Sequence, residues 1–254
     1  MILAAGLGTR LLPLTKGTPK ALVEIGGVTL LERTLSRLVD AGCDRVVINL
    51  HHHAEMVSDF LAEHCAAGAQ ATRGLASPCL WSGAEVVVSL EPEGALETGG
   101  GLKRARNLFR GDRTILVHNV DVLSTIDLAA VAREHEASGS LATLAVNRRP
   151  ASRHLVFDES GLCGRIDMRT GAEEWARAPS GLQWRAGFTG IHALSPDILE
   201  RLSEEGAFSI VRSYLRLAAE GARIEPFDVT GERWMDVGTP ERLDTARREW
   251  DGTA

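Results

Sequence analysis

The sequence predicts an α/β protein with a largely parallel central sheet, and two observations carry this prediction. Short apolar runs alternate with amphipathic segments of helical period, which is typical of βαβ units. A glycine-rich turn, Gly6 to Gly8, directly follows the first apolar run, at a strand end where open α/β sheets bind ligands. With 254 residues and no linker, repeat or low-complexity tract, the chain is predicted to form one domain, residues 1–254.

The strands are predicted from apolar runs that are bounded by turn residues. They span residues 2–5, 45–50, 85–90, 114–118, 141–146, 155–157, 187–193 and 224–229. The runs of the second half are less regular and are expected to extend the sheet. Because the first run is so short, we expect a weak first strand and expect Met1 to be an internal or shortened start.

The first clear helix is predicted over residues 29–41. Thr29 and Glu32 have the spacing of a capping box, leucines recur at helical period, and Gly42 is a typical helix stop. Further helices are predicted over residues 53–67, 100–109 and 127–138, the last with Asp127 as its N-cap.

Two late helices are predicted to begin at Ser195-Pro196 and Thr239-Pro240, each with a hydroxyl N-cap and a proline in the first turn. Residues 73–83 are predicted to form a loop that exposes Trp81 and contacts a second subunit.

Composition excludes several classes of partner. The chain has 28 basic and 34 acidic residues, a net charge of −6, and no block of like charges, which argues against nucleic acid or an anionic membrane. No apolar run approaches a membrane span or a signal peptide, so a cytoplasmic protein is expected. The cysteines lack C-x-x-C spacing, which predicts plain thiols: Cys43, Cys65, Cys79 and Cys163.

The glycine turn and two cations near it indicate a phosphate-binding site. Backbone amides of Gly6 and Gly8 can approach phosphate oxygens, Arg10 can bind them at two points, and Lys20 follows a stiff Thr-Pro step. A P-loop would require Gly-Lys-Ser/Thr, which is absent, and the dinucleotide pattern has Leu11 in place of its third glycine. An ordinary turn remains the alternative for an isolated Gly-x-Gly.

Asp121 is the strongest metal candidate. It follows the apolar run of residues 114–117, at the strand end where a carboxylate can meet phosphates held by the first loop. By itself, an aspartate in this position can equally cap a helix or form a turn.

The first loop and four later segments resemble a known family. The segment from Leu3 to Thr15, LAAGLGTRLLPLT, followed by Pro19-Lys20, is similar to the signature of the sugar-1-phosphate nucleotidyltransferases. The other four segments are LETGGG at 96–101, NVDV at 119–122, TGI at 189–191 and WMDVGT at 234–239. The resemblance covers nearly the whole chain in order, and the most similar subgroup is the N-acetylmuramate-1-phosphate uridylyltransferases.

The resemblance implies a Rossmann-like three-layer α/β/α sandwich with a mostly parallel, mixed central sheet. It implies transfer of a nucleotidyl group, with Arg10 and Lys20 stabilising phosphates and with Asp121 and Asp236 holding Mg²⁺. Residues 1–125 would bind the nucleotide, through Ala4, Ala5, Gly6, Gly8, Thr9, Arg10, Glu97, Thr98 and Gly99. The remainder would supply the second metal ligand and bind the sugar through Thr189 and Gly190, although Phe188 replaces a polar residue of relatives.

The implied substrates are a nucleoside triphosphate, with UTP favoured, and a sugar 1-phosphate, with N-acetylmuramate 1-phosphate favoured. The alternatives are a mannose-1-phosphate guanylyltransferase, a glucose-1-phosphate thymidylyltransferase, and a noncatalytic module that binds nucleotide sugars. An NAD-type oxidoreductase would need the missing third glycine. A monomer or a homodimer is expected.

Two basic or metal-binding patterns have competing interpretations. His51 to His53 can suggest zinc, but adjacent histidines do not face one ion, so a solvated or substrate-lining turn is favoured. Arg148 and Arg149, with Arg153 nearby, can bind a phosphate or carboxylate of the sugar, but a solvated basic turn is favoured.

Overall fold

The computed structural model describes residues 1–65, 78–111 and 113–250. The strands are β1 (Ile2–Leu3), β2 (Glu24–Ile25), β3 (Val28–Thr29), β4 (Arg45–Leu50), β5 (Cys79–Trp81), β6 (Ala84–Leu90), β7 (Ile115–Asn119), β8 (Val122–Ser124), β9 (Ala142–Asn147), β10 (Arg153–Asp158), β11 (Gly161–Asp167), β12 (Glu173–Trp175), β13 (Trp184–Leu194), β14 (Ile224–Asp228) and β15 (Trp234–Asp236). The α-helices are α1 (Leu30–Asp40), α2 (Ala54–His64), α3 (Glu97–Arg104), α4 (Leu128–Ser138), α5 (Ile198–Arg201), α6 (Ile210–Ala219) and α7 (Pro240–Glu249).

The centre of the main sheet is parallel. Its strands run β6-β4-β1-β7, and Ile2 of β1 pairs with Ile48 on one side and His118 on the other. All four strands therefore end at one edge, where their following loops converge. Although β1 has only two residues, it occupies the middle of this sheet.

Antiparallel strands flank the parallel centre. Strand β13 pairs with three strands, β7, β9 and β10. Beyond β10 the sheet continues through β11 to β12, and at the opposite edge β5 pairs with β6. Strands β11 and β12 were not predicted, because glycine interrupts the apolar residues of β11 and β12 has only three residues, two of them acidic. Outside this sheet, β15 pairs with β8, which places Asp236 opposite Val122.

Two hydrophobic cores lie on opposite faces of the sheet. Along β4 the apolar side chains alternate, so that Val46 and Ile48 enter one core and Val47 enters the other. The first core also receives buried residues of α1, α2, α4 and α7, and the second receives those of α3, α5 and α6. The predicted three-layer α/β/α sandwich with a mixed sheet, parallel at its centre, is confirmed.

Helix α1 begins and ends as its sequence predicts. The Thr29 hydroxyl accepts a hydrogen bond from the Glu32 backbone N–H at 3.1 Å, and Gly42 after the helix has a φ of 91°, which favours glycine. Asp127 and Thr239 likewise cap α4 and α7.

The helix predicted over residues 100–109 lies at residues 97–104 in the structure, so residues 97–99, which were expected to precede it, are helical. Helix α3 begins at Glu97 and contains all three glycines. Glycine has low intrinsic helix propensity, but here the neighbouring structure leaves no room for larger side chains. A Cβ on Gly99 would lie 2.3 Å from the Phe208 ring, and one on Gly100 would lie 2.5 Å from the Gly206 oxygen.

Three further boundaries differ from the predictions. Helix α2 ends at His64, and the predicted extension to residue 67 lies partly outside the described residues. Residues 73–77 of the predicted loop lie outside as well, but Cys79–Trp81 forms β5 and Trp81 is buried, because this strand packs on the sheet edge. Ser195 does not cap α5, since its hydroxyl bonds to Ser140 and His135 instead.

In the part of the chain that the structure describes, no helix is both long and apolar enough to cross a membrane.

Candidate active site

The glycine turn after β1 forms a compact loop over the strand ends. Gly8 has a φ of 62°, and its carbonyl accepts a hydrogen bond from the Thr15 hydroxyl at 2.8 Å. A Cβ on Gly8 would lie 3.0 Å from the Thr15 methyl group, whereas Gly6 has open space around it. The loop therefore needs glycine at position 8 for its own shape and leaves position 6 open to a ligand.

A cavity of about 360 Å³ lies beneath this loop, and we call it the small cavity. It is lined by Ala4, Ala5, Gly6, Gly8, Thr9, Arg10, Lys20, Glu97, Thr98 and Asp121 among the predicted site residues, together with Asn49 and Asn119. Residues predicted from the first loop, from α3 and from the end of β7 thus face one space.

A second cavity of about 740 Å³ adjoins it, and we call it the large cavity. Its lining includes the predicted Thr189, Gly190 and Asp236, and also Trp234 and Phe188. Arg10, Asn119 and Asp121 line both cavities. The two spaces therefore meet at the carboxyl ends of β1 and β7.

The two predicted metal ligands lie on neighbouring strand ends. Asp121 immediately precedes β8, Asp236 ends β15, and the Val237 N–H donates to the Asp121 carbonyl at 2.9 Å. This pairing brings together two aspartates that are 115 positions apart in sequence.

Each of these carboxylates forms an ion pair with a cation. Lys20 pairs with Asp121, and Arg242 of α7 pairs with Asp236. The Asp236 carboxylate also accepts a hydrogen bond from the Gly238 N–H at 3.2 Å. Arg242 was not predicted, because a charged residue in the first turns of an amphipathic helix gives no sequence signal for a site.

The Arg10 guanidinium lies near the second aspartate. A Cβ on Gly238 would come within 2.8 Å of the Arg10 Nη2 atom and 3.0 Å of the Asp236 Oδ1 atom. Glycine at this position therefore admits both groups to the same small volume.

The donor set suits a hard divalent cation. Mg²⁺ prefers carboxylate oxygens and is bound by one or two of them together with phosphates of a substrate and water. Asp121 and Asp236 supply two carboxylates on adjacent strand ends, and their ion pairs show that both attract positive charge. No group of three or more His, Cys, Asp or Glu side chains that could hold a metal occurs among the residues described, which include His51 to His53.

Asn49 and Glu91 form a buried network behind the small cavity, which sequence reasoning missed. The Asn49 side chain accepts from the Ala4 N–H at 2.8 Å and donates to Glu91 at 2.7 Å, and Glu91 also accepts from the Leu96 N–H at 2.8 Å. Glu91 is only 1% exposed. The network joins the ends of β1, β4 and β6 to the start of α3. Its only sequence signal was that a polar residue directly ends each of these apolar runs.

Thr98 and Gly99 are engaged in packing between helices. The Thr98 hydroxyl accepts from the Ile210 N–H at 2.9 Å at the start of α6, and the Gly99 N–H donates to the Phe208 carbonyl at 2.9 Å. Thr98 still lines the small cavity, but Gly99 does not.

Thr189 and Gly190 also have internal partners. The buried Thr189 hydroxyl donates to the Ala145 carbonyl at 2.7 Å, and a Cβ on Gly190 would lie 2.6 Å from the Asn119 side-chain nitrogen. Gly190 thus permits the close approach of Asn119, which lines both cavities.

The favoured interpretation of residues 148–153 as a solvated basic turn holds for only part of that segment. Arg148 is exposed and pairs with Asp228 at 3.1 Å, and Arg153 is exposed as well. Arg149, in contrast, is half-buried with its guanidinium carbon 3.5 Å from the centroid of the Trp234 ring. Burial lowers the pKa of Arg149, and the Asp236 carboxylate opposes this effect.

Comparisons with known proteins agree with this fold. The chain matches the nucleotidyl transferase family over residues 1–251, and it belongs to that family. It is 33% identical over 250 residues to the N-acetylmuramate alpha-1-phosphate uridylyltransferase of Caulobacter vibrioides, covering 95% of this chain and 92% of that protein. The resemblance predicted from the motifs is therefore confirmed.

The names of other relatives specify different sugars. The chain is 29% identical over 245 residues to the mannose-1-phosphate guanylyltransferase catalytic subunit beta of Drosophila pseudoobscura pseudoobscura, covering 95% of this chain and 59% of that protein. The solved UDP-glucose pyrophosphorylase of Acinetobacter baumanii superposes with a TM-score of 0.74 at 18% identity, covering 98% of this chain and 91% of that one. That similarity shows the shared fold.

Proposed function

We propose that this nucleotidyltransferase joins a nucleoside triphosphate to a sugar 1-phosphate, with release of pyrophosphate. The observation that carries the proposal is the junction of the two cavities at Arg10, Asn119 and Asp121. A triphosphate in the small cavity and a sugar phosphate in the large cavity would meet there. An oxygen of the sugar phosphate would then attack the α-phosphorus, and pyrophosphate would leave in line.

The roles of the residues follow from their places around the junction. The first loop holds the triphosphate through its backbone amides, and Arg10 stabilises charge that develops at the α-phosphate. Lys20, beside Asp121, supplies a mobile cation for the phosphates of both substrates. Residues 1–125 would bind the nucleotide and the remainder would bind the sugar, with the whole chain acting as one domain.

Asp121 and Asp236 would hold Mg²⁺. When bound, this ion supplies charge neutralisation and orientation to the phosphates. The chain itself positions the two carboxylates through the pairing of β15 with β8.

The favoured substrates are UTP and N-acetylmuramate 1-phosphate. The relative at 33% identity, which the chain covers over 92% of its length, is by its name a uridylyltransferase for N-acetylmuramate alpha-1-phosphate. The backbone of Ala4, Ala5 and Glu97, which line the small cavity, would pair with the edge of a pyrimidine base. One alternative is mannose 1-phosphate with GTP, which is supported by the name of a relative at 29% identity. The other is glucose 1-phosphate with dTTP. We further propose a cytoplasmic enzyme that acts as a monomer or homodimer.

Initial rates of pyrophosphate release test this proposal. UTP, dTTP, GTP and ATP are each combined with N-acetylmuramate, mannose and glucose 1-phosphates, with and without Mg²⁺. The highest rate is expected with UTP and N-acetylmuramate 1-phosphate in the presence of Mg²⁺. A higher rate with GTP and mannose 1-phosphate would contradict the substrates but not the reaction. Binding of a nucleotide sugar without pyrophosphate release from any pair would favour a regulatory module.

A further inference from the structure

We propose that Arg149, held against the Trp234 ring, binds a carboxylate of the sugar and thereby selects sugar 1-phosphates that carry a second acidic group. The inference rests on the proposed function, because it assigns the large cavity to the sugar. It adds a residue and a chemical reason for the choice among sugars.

Arg149 is held in a fixed position by its neighbours. Its guanidinium carbon lies 3.5 Å from the centroid of the Trp234 ring, and the Trp234 indole N–H donates to the Thr189 carbonyl at 2.9 Å. The ring is therefore fixed to β13. A guanidinium stacked on an aromatic face keeps its N–H groups free at its edge, where they can bind a planar carboxylate at two points.

Three other arginines of the large cavity form ion pairs with carboxylates, whereas Arg149 forms none among the described residues. Arg242, Arg153 and Arg165 pair with Asp236, Asp167 and Glu174, respectively. Within the described ranges Arg149 has no ion-pair partner, and its buried Nε atom has no hydrogen-bond partner. The Asp236 carboxylate offsets only part of the cost of burying this cation, and a bound anion would offset more of it.

The position of Arg149 favours a ring substituent over the 1-phosphate. The phosphate must reach the junction at Arg10 and Asp121, whereas Arg149 lines only the large cavity and not the small one. Trp234, its platform, precedes Asp236 by two residues on the same face of β15, a separation of roughly 7 Å. A sugar whose phosphate lies at the junction would therefore place a substituent of its ring at Arg149. A neutral sugar would leave this guanidinium without a partner.

Equilibrium binding of two matched sugar phosphates tests the assignment. N-acetylmuramate 1-phosphate differs from N-acetylglucosamine 1-phosphate by one carboxylate-bearing ether group, so the ratio of their affinities, measured by calorimetry, isolates that group. Arg149→Gln is expected to lower the preference for the acidic sugar by about 10- to 100-fold, the range for loss of a charged hydrogen bond. Arg149→Lys should restore part of the preference, because it returns the charge.

The adjacent arginine provides a matched control. Arg148 is exposed, pairs with Asp228 and is absent from the lining of the large cavity, so Arg148→Gln should leave the affinity ratio unchanged. Thermal unfolding confirms that each variant is folded. If Arg149→Gln does not fold, Arg149→Met, which retains the stacking on Trp234, replaces it.

The outcomes separate this inference from the proposed reaction. An equal loss of affinity for both sugars would overturn the inference, because Arg149 would then bind their common phosphate. An unchanged ratio in Arg149→Gln, or a wild-type protein without preference, would overturn it as well. Binding needs no turnover, so an inactive protein that prefers the acidic sugar through Arg149 would contradict only the proposed reaction.

Discussion

At the scale of single residues, the candidate site is built from carboxylates and cations that already attract one another. Lys20 pairs with Asp121 and Arg242 with Asp236, and the Arg10 guanidinium lies close to Asp236. Such groups can exchange their partners for phosphates and a divalent cation without first being extracted from an apolar core. The sequence predicted four of these five residues; Arg242 became recognisable only when α7 and β15 were placed together.

Replacing either aspartate by asparagine should strongly reduce turnover. Asp121→Asn and Asp236→Asn each remove a charged oxygen ligand with little change in volume, and turnover should fall by at least about 100-fold. The measurement is the initial rate against Mg²⁺ concentration. Asp228→Asn, at an exposed ion pair with Arg148, is the matched control and should retain wild-type rates. Wild-type turnover of either site variant at limiting Mg²⁺ would remove that residue from the proposed metal site.

Removing the two cations should have separable effects. Arg10→Ala should mainly lower kcat, because it acts on the α-phosphate during transfer, whereas Lys20→Ala should also raise the KM for the sugar phosphate. A loss of about 10-fold or more in kcat/KM is expected for each. The exposed Lys16, outside the lining of the small cavity, provides the control Lys16→Ala. An unchanged kcat/KM in Arg10→Ala or Lys20→Ala would exclude that residue from the site.

At the scale of elements, α3 shows how packing overrides local propensity. Three consecutive glycines are unfavourable in a helix by intrinsic propensity, but each lies against a neighbour that leaves no room for a Cβ. At Gly101 the neighbours are the Asn49 and Glu91 side chains, at 2.6 and 2.8 Å from such an atom. The start of α3 is therefore coupled to the polar network behind the small cavity.

Gly101→Ala should destabilise the protein despite the higher helix propensity of alanine. The added methyl group would displace the buried Asn49–Glu91 pair, and we expect a loss of about 1–3 kcal/mol in the free energy of unfolding. Denaturant unfolding measures this change. Gly111→Ala, where a Cβ meets nothing within 4 Å, is the control. Equal stability of the two variants would show that α3 can shift without cost.

At the scale of the whole molecule, two histidines are buried in neighbouring strands of the main sheet. His118 on β7 and His192 on β13 are 1% and 2% exposed, and burial lowers the pKa of each to about 3. His192 is bonded to the buried Tyr214 hydroxyl. Both imidazoles are neutral in the folded protein at neutral pH.

Stability should therefore decrease as the pH falls below about 6.5, the ordinary pKa of histidine. Between this pH and about 3 the unfolded chain binds protons that the folded protein does not, so the free energy of unfolding declines. We expect about 1–2 kcal/mol per histidine between pH 6.5 and 5. Urea unfolding at several pH values measures this slope, and His118→Asn should reduce it.

The exposed His64 provides the matched control. His64→Asn makes the same substitution at an exposed position of α2, and it is measured in the same series of urea unfolding experiments. If His118→Asn has the wild-type slope, the buried imidazole is not responsible for the loss of stability in acid.

The sequence by itself determined the α/β class, the positions of the main strands and the glycine turn proposed to bind phosphate, because these depend on local periodicity, on glycine and on residues near one another in the chain. Resemblance added the distant Asp236. Only the tertiary structure decided that the glycines of α3 serve close packing, that Asn49 and Glu91 join three strand ends, and that Arg149 stacks on Trp234. These features arise from contacts between segments 40 or more residues apart, as in the 42-residue separation of Asn49 and Glu91. Local sequence patterns do not specify such contacts, because the contacts contribute to the free energy of folding only after the sheet has brought the segments together.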